Sequence, residues 1–114
     1  MAKVVIAETL KNEILKKFKE ESKAIFRQMY SLQENPNKGK LLGSVGGIVI
    51  KELKYKNFRF YFITDGYKLK LMNESNLVDL LIRFVRMSDK KDQQKTINEI
   101  KKILVNFGPE GFKK

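Results

Sequence analysis

The chain has 114 residues, 42 % of them apolar, with 24 Lys and Arg against 13 Asp and Glu and a net charge of +11. That balance fits one globular domain over residues 1–114 with a modest core, rather than a disordered chain, and no apolar run approaches the roughly 20 residues of a membrane-spanning helix. With no Cys and no His, disulfides, thiolate nucleophiles and Cys- or His-ligated metals are excluded, and acid–base chemistry falls to Lys, Arg, Tyr, Asp or Glu.

Residues 3–7, "KVVIA", read as a short buried strand and not as a signal peptide, because charges return at once in "ETLKNE". Glu8 or Thr9 offers a helix start. The apolar positions Leu10, Ile14, Leu15, Phe18, Ile25, Phe26, Met29 and Leu32 then keep helical spacing. A weak turn at "KEES" predicts either one bent helix or two helices in a hairpin, broken near Glu20 to Ser22. "ENPNKGK" stops the pattern, since Asn-Pro forbids continuation and Gly follows.

"LLGSVGG" predicts an irregular or bulged entry to a strand. Strands are expected at Ile48–Tyr55, Phe58–Thr64 and Tyr67–Met72, joined by turns at Lys56-Asn57 and Asp65-Gly66. "LVDLLIRFVRM" is nearly continuous in apolar residues and predicts the central strand. Ser88 is the expected cap of a last helix with Asp89 and Asp92 in its first turn and Ile97, Ile100, Ile103 and Leu104 on its apolar side. "NFGPEG" ends it. The order β, α(α), β, β, β, β, α predicts an α+β fold, with a mostly antiparallel sheet and helices on one side.

The chemistry-bearing stretch is "KELKYKNFRFYF". Strand alternation puts Lys51, Leu53 and Tyr55 on one face and Glu52 and Lys54 on the other. In the next strand Phe58, Phe60 and Phe62 form a core face, and Arg59 and Tyr61 project from the opposite one. Residues 51–59 hold Lys51, Lys54, Lys56 and Arg59 against Glu52, a local charge of +3. Arg59 is expected either to pair with an acid such as Glu52 or to face a ligand phosphate. Arg83 and Arg86, three apart in a regular strand, are expected on opposite faces. Arg83 has Asp79 as a candidate ion-pair partner, while Arg86 lies where strand hands over to helix, a place suited to anions. Lys90 and Lys91 lie nearest to Arg86 and are candidate phosphate contacts. "GSVGG" precedes a strand and lacks the context of a nucleotide loop, and no acidic pair stands at metal spacing. The surplus charge directs the search to nucleic acid or an acidic protein partner, and no membrane role is expected.

Taken together, "NPNKGK…G", "KELKYKNFRFYF" and an apolar strand ending "FVRMS" before a charged helix make the chain similar to the RelE/ParE toxin superfamily, most of all its HigB-like or phage-derived branch. The likeness spans residues 3–104. It implies a helical hairpin packed on a mostly antiparallel sheet with a C-terminal helix. It also implies a cytoplasmic toxin of a toxin–antitoxin pair that enters the ribosome and cuts messenger RNA, with no metal or other cofactor and with a cognate antitoxin as partner. Arg59 matches the family's strand arginine, and Arg86 the basic residue ending its last strand, unless a one-residue shift puts Met87 there. On this reading Arg59 and Arg86 would stabilise the phosphorane, Lys54 or Tyr61 would move protons, and Lys51, Lys56, Arg83, Lys90 and Lys91 would hold RNA. Glu52 and Ile50 stand where some members carry lysines, and residues 89–100 lack the Tyr that some carry. ParE-like members share the fold and inhibit DNA gyrase without cleaving RNA, and a RelE-like protein could bind nucleic acid without cutting it.

Overall fold

The computed structural model describes residues 2–71 and 80–112. In chain order it forms β1 (Lys3–Ile6), α1 (Glu8–Phe18), a 3₁₀ turn (Lys19–Glu21), α2 (Ser22–Tyr30), a 3₁₀ turn (Ser31–Gln33), β2 (Lys40–Val45) and β3 (Ile48–Tyr55). These are followed by β4 (Phe58–Asp65), α3 (Gly66–Leu71), β5 (Leu81–Asp89), α4 (Gln93–Phe107) and a closing 3₁₀ turn (Gly108–Phe112). The five strands make one sheet in the order β1-β5-β4-β3-β2. Only β1 and β5 run parallel, and the other pairs are antiparallel. The class is α+β.

The expected helix break occurs. Lys19 adopts φ +51°, ending α1, and the buried hydroxyl of Ser22 donates to the Ile14 carbonyl at 3.1 Å. That bond ties the start of α2 back to the last turn of α1. Leu10 and Ile14 of α1 join Ile25 and Met29 of α2 over Leu53, Phe60, Phe62, Ile82 and Phe84, forming one core on one face of the sheet. Phe60 and Phe62 are fully buried, each contributing about 2–3 kcal/mol of hydrophobic stabilisation.

Helices cover both faces of the sheet, not one. Ile97, Ile100 and Leu104 of α4, with Phe112, pack on Ile50, Tyr61, Ile63 and Val85 in a second core. The reason lies in β4, "FRFYFITD", where Phe58, Phe60 and Phe62 fill one face while Tyr61 and Ile63 put large apolar side chains on the other, so both faces must be covered. β4 is therefore the middle strand, and β5 lies between it and β1.

Three further expectations change. The stretch before β3 is itself a strand, β2, folded back on β3 through Gly46 and Gly47, whose φ values of +55° and +85° suit a two-residue hairpin turn. The expected strand at Tyr67–Met72 is helical over Gly66–Leu71, Met72 lying outside the described residues. Asp65 Oδ1 accepts from the backbone N–H groups of Tyr67 and Lys68 at 3.0 and 3.1 Å, so Asp-Gly opens a helix rather than a hairpin. Gly66 also donates its N–H to the Gly47 carbonyl at 2.8 Å, and a Cβ there would lie 2.6 Å from Val49 Cγ1. Ser88 caps nothing. β5 continues through it to Asp89, whose Oδ1 accepts from the Asp92 N–H at 2.9 Å, and α4 begins at Gln93.

β5 also departs from regular alternation. Tyr61 pairs with Arg86 but Phe62 pairs with Phe84, so Val85 is an extra residue. This bulge returns Arg86 to the face of Arg83. Both reach the α4 side, where Arg86 meets Glu99 and Arg83 meets the Pro109 carbonyl. They do not point to opposite faces. The alternative partner for Arg83, Asp79, lies outside the described residues.

Candidate nucleic-acid interface

On the α4 side of the sheet, cross-strand register places Lys54 opposite Arg59, Glu52 opposite Tyr61, Arg59 opposite Ser88 and Tyr61 opposite Arg86. Arg59 and Glu52 are both buried, and Arg59 Nε lies 3.3 Å from Glu52 Oε2. Arg59 Nη1 donates to the Phe58 carbonyl at 3.2 Å, and Gln93 Nε2 reaches Glu52 Oε1 at 3.5 Å, the outer limit of a hydrogen bond.

Two adjoining clefts open over this pair. One, of about 490 Å³, is lined by Lys38, Gly39, Lys40, Lys54, Arg59, Glu52 and Gln93. The other, of about 360 Å³, is lined by Lys40, Glu52, Lys90, Lys91 and Gln93. Their lining residues together include five lysines, one arginine and one carboxylate. Like charges so close repel one another, and an anion held among them is stabilised by all of them at once.

The expected site residues divide on this geometry. Arg59, Lys54, Lys90 and Lys91 come together at the clefts. Arg86 shares the sheet face but is engaged by α4. Its Nε donates to Glu99 Oε1 at 2.8 Å, its Nη1 to the Val85 carbonyl at 2.8 Å, and its guanidinium lies over the Phe112 ring. Tyr61 is sealed from solvent, its hydroxyl 2.7 Å from Ser88 Oγ. Burial pushes that phenol above its usual range, against a smaller opposing effect of Ser88, so it stays protonated at neutral pH.

The other three lie elsewhere. Lys51 points to the opposite face, where its ammonium donates to the Asn37 carbonyl at 2.9 Å and lies 5.9 Å from the Phe62 ring centre. Burial pulls its pKa down. Lys56 is held by Glu21 at 2.8 Å, and that hydrogen bond raises its pKa. Arg83 lines a separate, mostly apolar cavity of about 220 Å³ with Ile48, Ile63 and Leu81.

Lys38 and Lys40 escaped the sequence reading, because "NPNKGK" reads as a helix stop. The signal available was Gly39 between them. Its φ is +105°, and a Cβ there would lie 2.8 Å from Phe62 Cζ, so the loop lies tight on the sheet and holds both lysines at the cleft. Among the described residues no cluster of three or more acidic side chains is placed to hold a metal ion, and no helix is long and apolar enough to cross a membrane. No family model, curated protein or solved structure matches the chain.

Proposed function

We propose that the protein is an RNA-binding toxin of the RelE/ParE kind, whose paired clefts hold the phosphate backbone of messenger RNA at the ribosome and whose cognate antitoxin covers the same surface. The observation that carries this reading is the convergence of Lys38, Lys40 and Lys54 on the buried Arg59, with Lys90 and Lys91 lining the adjoining cleft that shares Lys40, Glu52 and Gln93. Such a face releases counterions when it takes up a polyanion, so its affinity falls steeply with salt. Single-stranded RNA titrated at several salt concentrations tests it. Tight, salt-sensitive binding that is lost in a Lys38→Ala, Lys40→Ala, Lys90→Ala, Lys91→Ala variant is expected. Undiminished binding by that variant overturns the reading.

Cleavage of the bound strand is a second step, favoured by the placement of Lys54 directly across from Arg59. A protonated Lys54 would give its proton to the leaving 5′-oxygen and Arg59 would neutralise the phosphorane, while the 2′-hydroxyl proton would pass to water. At rest, however, Arg59 faces Glu52 and Arg86 faces Glu99. Binding without cutting is therefore the reading the resting geometry supports first. Induced expression of the wild type, Arg59→Ala and Lys54→Ala decides between them. Transcript cuts that vanish in both variants support an endoribonuclease, and intact transcripts throughout leave binding alone. Loss of gyrase supercoiling with intact transcripts would instead favour the ParE-like alternative.

A further inference from the structure

Glu52 is out of place on an anion-binding face. Among the described residues lining either cleft it is the single carboxylate, it lines both, and it contacts the one buried guanidinium there. Its grip is weak in form. One Nε contact at 3.3 Å joins it to Arg59, where a bidentate fork would be stronger, and its bond from Gln93 is at the distance limit. Arg59 is meanwhile held by the Phe58 carbonyl, a bond that does not involve Glu52. A buried guanidinium must have an anion beside it, but nothing in the arrangement requires that anion to be Glu52.

We propose that Glu52 is an internal stand-in for a backbone phosphate, which displaces it from Arg59 when RNA binds. This rests on the reading of the clefts as an RNA backbone site. The displaced carboxylate is not stranded. Because Glu52 lies where the two clefts adjoin, it can turn from Arg59 towards Lys40, Lys90 and Lys91 in the second cleft while the phosphate takes its place in the first. Neither Arg59 nor Glu52 is left buried without a counter-charge during the exchange. Glu52 thereby acts as a positioning and selectivity residue. It keeps Arg59 oriented in the free protein, and it rejects anions that bind too weakly to compete with a tethered carboxylate.

The test is a double-mutant cycle read with a 2′-O-methyl RNA oligonucleotide, which cannot be cleaved. The four proteins are wild type, Glu52→Gln, Arg59→Gln and the double variant. Glu52→Gln is expected to tighten binding about tenfold, and to change it less than about twofold when Arg59 is already Gln. Equal tightening in both backgrounds would mean that only net charge matters, and overturns the proposal, as does unchanged or weaker binding by Glu52→Gln. A second measurement needs no variant. The Nε–H resonance of Arg59 in the wild type is expected to shift on saturation with the oligonucleotide and to stay in place in acetate of equal ionic strength. A resonance unmoved by RNA overturns the exchange. A full shift with inorganic phosphate and no further change with RNA overturns the assignment to a nucleic-acid backbone. RNA binding without coupling between Glu52 and Arg59 defeats this inference alone, whereas no RNA binding by the wild type defeats the functional reading as well.

Discussion

At residue scale, the consequences turn on which charges have partners. Replacing Arg59 with Ala leaves the buried Glu52 facing five lysines but no guanidinium. The expected cost is about 1–2 kcal/mol of folding stability, below the roughly 3–5 of a wholly uncompensated charge because the cleft lysines are in reach, read by urea unfolding, with much of it restored by adding Glu52→Gln. Tyr61→Phe removes one buried hydroxyl from a partner, Ser88, that still donates to the Asp89 carbonyl. A loss of about 1 kcal/mol with unchanged RNA affinity is expected, and weakened binding would place Tyr61 at the RNA after all. Lys51 offers a pH test. Its folded pKa lies below its unfolded one, so the cost of burying its charge is present at neutral pH and is relieved as pH rises towards the ordinary lysine value of about 10.4. The wild type should therefore gain stability relative to Lys51→Met as the solution is made alkaline. Comparing the two proteins cancels the titration of groups they share.

At element scale, the loop before β2 sets where two of the five lysines stand. Gly39→Ala forces a side chain into a left-handed backbone and against both Phe62 and the Glu52 carbonyl, 3.1 Å from the added Cβ. A loss of about 2 kcal/mol or more is expected in thermal unfolding, together with weaker RNA binding at temperatures where the variant is still folded. Much of the fold was legible at this scale. The helix break, the β3–β4 hairpin and the triple-Phe face follow from local spacing, and the structure has them. The second core was legible too, in the apolar character of Tyr61 and Ile63 opposite the phenylalanines, but a one-sided sheet was the simpler expectation. Two elements misled for physical reasons. "YKLKL" alternates like a strand, and only the Asp65 side chain, by bonding to Tyr67 and Lys68, makes it helical. The β5 bulge is set by pairing with β4 and leaves no mark in the order of residues. Of the candidate site, Arg59 and its choice between Glu52 and a phosphate could be read from alternation. Lys38 and Lys40 were marked only by the Gly39 between them, because tertiary closure, not spacing, brings a loop 20 residues away in the sequence to Arg59.

At the scale of the whole molecule, a net charge of +11 attracts any polyanion, and the clefts add local density to that general field. If four or five phosphates are held, the logarithm of RNA affinity should fall with the logarithm of salt at a slope of about −3, as expected for about −0.7 per contact on a single strand. Removing Lys90 and Lys91 together should flatten the slope by about 1.4, measurable by fluorescence anisotropy, and a slope near zero in the wild type would exclude backbone binding.

The parallel pairing of β1 with β5 also shapes how the chain comes to exist. Among the described residues, Lys3–Ile6 pair only with Leu81 to Phe84, far along the chain, and Lys90 and Lys91 follow later still. Until that later stretch has been made, β1 has no strand of the described sheet to lie against and the basic rim is incomplete. Maturation of this chain is therefore a late, long-range closure, slow by the ordinary relation between loop length and folding rate. A nascent copy that has not yet made Lys90 and Lys91 lacks part of the cation cluster at the clefts.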